Sequence, residues 1–139
     1  MWSQTTIEIS AKKRGFHLIT NEIEAQLIGI GALKCGILHL FIKHSSASLT
    51  INENADPTVR SDMEKHFNVL APERAAYFQH TYEGDDDMPA HIKSSLLGSS
   101  ISIPITNGQL NLGIWQGIYL GEHRDHASCR TLVATVNGE

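Results

Sequence analysis

The sequence predicts an α+β fold: a compact, mainly antiparallel β-sandwich interrupted by two or three helices. Three observations carry this. Apolar and polar residues alternate in several short runs, as at Ile101, Ile103 and Ile105. Other segments in the first two-thirds of the chain carry apolar stripes at helical spacing. Asn107-Gly108 sits between two alternating runs, a strong local signal for a β-hairpin.

Residues 5–10 alternate around Ile7 and Ile9 and open the chain as a strand; residues 16–19 make a second. A helix follows, with Asn21 as its cap, Glu24 three residues on, and Ile23, Leu27 and Ile30 on one face; Gly29 and Gly31 end it. Residues 36–44 are the clearest strand. Leu38, Leu40, Ile42 and His44 point one way and Ile37, His39, Phe41 and Lys43 the other. Residues 49–53 form a strand after a Ser-rich turn. Asp56-Pro57 starts a helix, with Asp as cap and Pro at the first helical position. Val59, Met63, Phe67 and Leu70 are its stripe, and Pro72 follows its end. Residues 72–87 show no period and read as an irregular connection. Residues 89–97 read as a short helix stopped by Gly98. After the hairpin turn, Leu110, Leu112 and Ile114 read as a return strand running toward Leu120 with bends at Gly113 and Gly117. Residues 131–136 are the last strand.

The chain has 139 residues, 41% of them apolar, which suits one domain over residues 1–139. Its net charge is −4, and the basic run Lys12-Lys13-Arg14 reads as a solvated turn, so no broad nucleic-acid footprint is expected. No apolar run is long enough to cross a membrane. The N-terminus lacks the charged and apolar regions of a signal peptide, so a cytoplasmic protein is expected. Cys35 and Cys129 have no Cys-x-x-Cys spacing and read as reduced thiols.

Polar residues gather where strands end. One group is His44-Ser45-Ser46-Ala47-Ser48, followed by Asn52, Glu53 and Asp56. His44 ends an apolar face, a position suited to metal ligation or proton transfer. Asp56 has its capping role, and Asp62 flanks the apolar stripe of the same helix. A second group contains Asp85-Asp86-Asp87, whose mutual repulsion calls for solvent, a cation or a helix N-terminus, then His91 and Lys93. A third holds Trp115 and Gln116, then Glu122-His123-Arg124-Asp125-His126, then Arg130. Trp115 reads as a core residue, and His123-x-x-His126 is a weak metal spacing. No P-loop, Gly-x-Gly-x-x-Gly, Gly-x-Ser-x-Gly or His-Glu-x-x-His occurs. His with carboxylate suits Zn²⁺ or a similar ion, and an all-oxygen set suits Mg²⁺.

Residues 44–57 (HSSASLTINENADP), residues 90–98 (AHIKSSLLG), Ile103-Pro104-Ile105 and residues 108–116 (GQLNLGIWQ) together make the chain resemble the YjbQ family, also described as the secondary thiamine-phosphate synthase family. The resemblance implies an α+β sandwich, a homotrimer and a polar pocket for a small phosphorylated molecule. By motif position it implies His44, Asn52, Glu53, Asp56, Asp62, His91, Lys93, Gln116 and Glu122 as pocket residues. For the chemistry we expect His44, Glu53, Asp62, His91 and Glu122 as catalytic residues, Asn52, Lys93, Gln116, Arg124 and Arg130 as substrate contacts, and His44, Asp56 and His91 as ligands of a divalent metal ion, Mg or Zn. Two departures stand out: Gly113-Ile114-Trp115-Gln116 where members often have Gly-Thr-Trp-Gln, and Glu122-His-Arg-Asp-His where many have Glu-Asp-Gly-Pro-Arg. The implied reaction joins a pyrimidine methyl pyrophosphate to a thiazole phosphate. A metal-dependent hydrolase or lyase and a non-catalytic metabolite-binding trimer are the alternatives.

Overall fold

The structure is a computed structural model describing residues 1–139. Alternating apolar residues build two antiparallel sheets. The larger is ordered β1-β8-β3-β5-β6, from β1 (Trp2–Ile9), β8 (Arg130–Gly138), β3 (Cys35–Ile42), β5 (Ser100–Thr106) and β6 (Gln109–Leu110). The smaller places β7 (Gln116–Glu122) between β2 (Gly15–Leu18) and β4 (Ala47–Glu53). One apolar core lies between them. Leu38, Leu40 and Ile42 of β3, Ile103 and Ile105 of β5 and Leu132 and Ala134 of β8 meet Leu49, Ile118 and Leu120 of the smaller sheet. Each such Leu or Ile side chain stabilises the fold by about 1.5–3 kcal/mol through burial. No helix is long and apolar enough to cross a membrane.

β7 is buried on both faces, so the molecule has a third layer. Ile118 and Leu120 face the core, while Tyr119 is buried beside Phe16, their ring centroids 6.3 Å apart. Phe67 of α2 (Pro57–Leu70) packs on Phe16 at 5.8 Å. The Asp56 cap forms as its sequence requires, its side chain accepting the Thr58 N–H at 2.9 Å. α3 (Asp87–Leu97) lies along β4, where the Ser94 hydroxyl donates to the Ala47 carbonyl at 2.7 Å. Gly121 lets this layer close: a Cβ there would meet Ser48 Oγ at 2.3 Å and the His123 ring at 2.8 Å.

The Asn107-Gly108 turn forms with φ of 50° and 79°, the left-handed pair a tight hairpin needs. The return strand, however, leaves the sheet after Leu110. Gln116 Oε1 takes the Gly113 N–H at 2.7 Å, and the chain enters the other sheet as β7. The first helix, α1 (Thr20–Glu24), is a single turn capped by Ile19, with Asn21 inside it. Its start is pinned by β7: Ile118 N–H donates to Thr20 Oγ1, and Ile19 N–H to the Ile118 carbonyl, both at 2.9 Å. Ile30 belongs to a separate 3₁₀ turn, Ile30–Ala32. α3 begins at Asp87, ahead of Pro89, so the acidic run forms its first turn. Trp115 is 63% exposed, outside the core. Arg14 is no solvated residue: it donates to Glu73 and Asp125 at 2.9 Å and to Asn68 at 2.8 Å. Both cysteines are free and exposed.

One ion pair ties the sheets together where β7 ends and β8 begins. Arg130 Nε and Nη2 donate to the two carboxylate oxygens of Glu122 at 2.7 and 2.5 Å, and Glu122 is fully buried. Arg130 Nη2 also reaches the Ser46 hydroxyl at 3.1 Å. Removing one partner of a sealed pair strands the other charge. Arg130→Met should therefore cost roughly 3–5 kcal/mol in urea unfolding, and Arg130→Met with Glu122→Leu should recover most of it. A single-variant loss below about 1 kcal/mol would mean that water reaches the pair.

Candidate functional site

Three side chains converge where α3 begins. Asp87 and His91 stand one helical turn apart on α3, and His80 reaches them from the connection before it. His80 Nε2 lies 2.6 Å and His91 Nε2 3.1 Å from Asp87 Oδ2, and the three potential ligand atoms fall within 4.8 Å of one another. Asp87 is 1% exposed. Burial works against its carboxylate, but the hydrogen bond from His80 and the fields of His91 and Arg124 outweigh it and hold its pKa below the usual value.

The second nitrogen of His91 determines what the first can do. Nδ1 lies 2.9 Å from the Ser45 carbonyl and donates its N–H to it. In the neutral ring Nε2 is then a lone pair aimed at a carboxylate oxygen. That juxtaposition needs a proton or a cation between the two groups. A histidine whose far N–H is held by a backbone carbonyl is the usual setting of a metal ligand. Ligands about 2.0–2.2 Å from a tetrahedral ion stand roughly 3.3–3.6 Å apart; the His91–Asp87 separation of 3.1 Å is near this, while the 2.6 Å between His80 and Asp87 is a direct hydrogen bond that an ion would have to open. Histidine nitrogen with carboxylate oxygen matches Zn²⁺ or a neighbouring transition ion better than Mg²⁺.

His91 also lines a depression of about 300 Å³ with His44, Ser45, Ser95 and Ser99, a wall without apolar side chains. His44 lies just past the end of β3, and its Nε2 accepts the Thr131 N–H at 2.8 Å. This corrects the ligand role expected of His44: the occupied Nε2 leaves a proton on Nδ1, making the ring a hydrogen-bond donor. Burial and the nearby Arg130 charge lower its pKa, so it is neutral at pH 7.

The other expected site residues divide. Asn52, Glu53, Asp56 and Gln116 lie at the far end of β4 from His44, on the order of 20 Å away along a seven-residue strand. Within one chain Asp56 is too far from His91 to share a metal with it; its oxygen serves the Thr58 N–H and hydroxyl, which also lower its pKa. Gln116 braces the Gly113 turn. Asp62 is exposed on α2. Glu122, expected as a base, is sealed against Arg130, which is thereby unavailable to a phosphate. Lys93 is 1% exposed beneath α2, with its ammonium on Asn68 Oδ1 at 2.6 Å. Burial and the neighbouring Arg14 lower its pKa. Arg124 donates to Asp86 and Asp87 instead of facing solvent. His80 was not singled out from the sequence, and Asp87 only as one of the acidic run Asp85-Asp86-Asp87. The signal available was Asp87-x-x-x-His91, one-face spacing on a helix, hidden because the helix was expected to begin at Pro89.

His123 is a different case. It is 1% exposed, with its edge against Phe16, Nε2 2.9 Å from Ser48 Oγ and Nδ1 without a partner. It is a buried neutral ring, not the exposed half of a His-x-x-His pair. Burial, with Lys93, Arg130 and Arg14 nearby, lowers its pKa to about 3.

The chain matches the family model described as "UPF0047 protein YjbQ-like" over residues 5–139. It is 58% identical to the UPF0047 protein YjbQ of Salmonella typhimurium over 139 residues, the whole of both chains. It is 42% identical to a UPF0047 protein of Synechocystis over 136 residues, covering 98% of this chain and 92% of that one. Among solved structures, a conserved hypothetical protein from Thermus thermophilus superposes with a TM-score of 0.77 at 34% identity, covering 93% of this chain and 97% of that one. A YbjQ-like protein of unknown function from Sulfolobus solfataricus shares the fold, with a TM-score of 0.86 at 24% identity over 100% and 99% of the two chains.

His123 makes a pH prediction. An unfolded histidine protonates near pH 6.5, and the folded one only near 3. The unfolded state therefore binds the extra proton between these values. The stabilisation is complete above about pH 6.5 and is lost as pH falls toward 3, with a slope approaching ~1.4 kcal/mol per unit. Urea midpoints from pH 7.5 to 5 should fall more steeply for the wild type than for His123→Gln; parallel curves would refute the assignment.

Proposed function

The chain belongs to the YjbQ-like UPF0047 family, and on that footing we propose that it is a metal-dependent enzyme acting on a small phosphorylated substrate. One observation carries the reading: His91 belongs both to the His80–Asp87–His91 trio and to the wall of the polar depression that contains His44. A metal on the trio would lie at the edge of a cavity of small-molecule size. Bound there, the ion would supply a Lewis acid for a phosphoryl or pyrophosphoryl oxygen.

The chain's own groups complete the site. Ser45, Ser95 and Ser99 offer hydroxyls to substrate oxygens. His44, held by the Thr131 N–H, directs its Nδ1–H to hydrogen-bond an oxygen as charge develops. The Ser45 carbonyl fixes the His91 ring. The trio favours hydrolysis or elimination over the thiamine-phosphate-forming condensation, for which Glu53, Asp56 and Asp62 would have to gather around Mg²⁺. Glu53 and Asp56 are adjacent, with the Asp56 N–H donating to Glu53 at 3.1 Å, but Asp56 is occupied as a cap. Self-association as a homotrimer is part of the same proposal; it would bring groups from another copy toward the depression.

Elemental analysis of the purified protein should find close to one transition-metal ion per chain. His80→Ala and His91→Ala should each lose it. His44→Ala should keep it while turnover of a phosphorylated substrate falls about 10²–10³-fold. Assays for released phosphate and for thiamine phosphate distinguish hydrolysis from condensation. Binding of such compounds without turnover would leave a metabolite-binding protein, and a metal-free wild type that takes up no added Zn(II) or Co(II) would overturn the reading.

A further inference from the structure

We infer that Arg124 is a positioning residue that acts through Asp87, fixing the carboxylate so that one oxygen faces both histidines. The inference rests on the metal reading above. Arg124 follows Glu122 and His123 on the chain leaving β7, and its guanidinium uses all three nitrogens. Nε donates to Asp86 Oδ2 at 2.8 Å, Nη1 to Asp87 Oδ1 at 2.7 Å, and Nη2 to the Glu83 carbonyl at 2.8 Å. The Asp125 N–H adds a second donor to Asp86 Oδ2 at 2.8 Å.

The division of labour between the two Asp87 oxygens is the key observation. Oδ1 is taken by Arg124, and Oδ2 alone faces His80 and His91. A free carboxylate rotates and can offer either oxygen, or both, to an ion. Here the planar fork of the guanidinium holds the plane of the group through a charge-assisted bond. By gripping Glu83, Asp86 and Asp87 together, Arg124 also fixes the backbone that leads from His80 to α3. A lysine could keep the charge but not the three-point grip. This grip gives Arg124 a structural role, distinct from the phosphate contact expected of it.

The test is Zn(II) affinity by competition with a chromogenic chelator, together with the visible spectrum of the Co(II) form, for wild type, Arg124→Lys, Arg124→Met and Asp87→Asn. Loss of an outer-shell partner typically weakens metal binding about 10- to 100-fold. Arg124→Met should show that loss, and its Co(II) spectrum should move toward that of Asp87→Asn, with Arg124→Lys between. Wild-type affinity within twofold and an unchanged Co(II) spectrum in Arg124→Met would overturn the inference. So would weakened binding with a wild-type spectrum and a lowered Tm, the mark of a merely structural residue. If Arg124→Met does not fold, Arg124→Lys carries the test on the same criteria. A wild type that binds neither ion defeats the metal reading itself, a result distinct from wild-type binding that ignores Arg124.

Discussion

The rest of the structure depends on β7 being buried on both faces. A strand sends successive side chains to opposite sides. Ile118 and Leu120 enter the core between the sheets, while Tyr119 and Gly121 support the helices. The alternation continues through the end of the strand and gives three consecutive residues three separate tasks. Glu122, on the core side, joins Arg130. His123, on the helix side, is packed against Phe16 and Ser48. Arg124, where the chain emerges, grips the acidic turn that opens α3. The polar end of one strand thus connects the two sheets, the helical layer and the candidate site.

Charge is distributed accordingly. Arginines that look available to a phosphate or to solvent in the sequence are occupied in the fold. Arg130 neutralises Glu122, Arg124 holds Asp86 and Asp87, and Arg14 serves Glu73, Asp125 and Asn68. Isolated charges are too costly to bury, and each of these arginines stands beside a carboxylate that needs it. The depression beside His44 and His91 is left with hydroxyls and imidazoles. A phosphorylated ligand there needs an additional positive charge, which a metal ion on the trio would provide. The same arithmetic argues against Glu122 as a base, since its carboxylate already accepts two guanidinium N–H groups.

Much of the fold was legible in local pattern. Leu38, Leu40 and Ile42 alternate inward as their spacing requires, Asp56-Pro57 opens α2, and Asn107-Gly108 makes its hairpin, because periodicity, capping and turn chemistry act over a few residues. His44 and His91, read as neighbours in function, do line one depression. Local pattern misled where distant parts of the chain competed with it. The run from Leu110 to Leu120 alternates smoothly, yet it divides between two sheets, because β7 is required as the centre of the smaller one. Trp115 is apolar, but the crossover leaves it exposed.

By itself the sequence determined the family, the α+β class, most element positions and a set of polar residues at strand ends. Those are consequences of nearest-neighbour preferences and of residue patterns spanning most of the chain. Tertiary structure alone decided which polar residues work together. His80, Asp87 and His91 meet because an irregular connection folds back onto the first turn of α3, while Glu53 and Asp56 are carried to the far end of β4 by strand length. Whether an arginine meets a ligand or a carboxylate depends on what is buried beside it, and burial is a property of the packed layers rather than of any local segment.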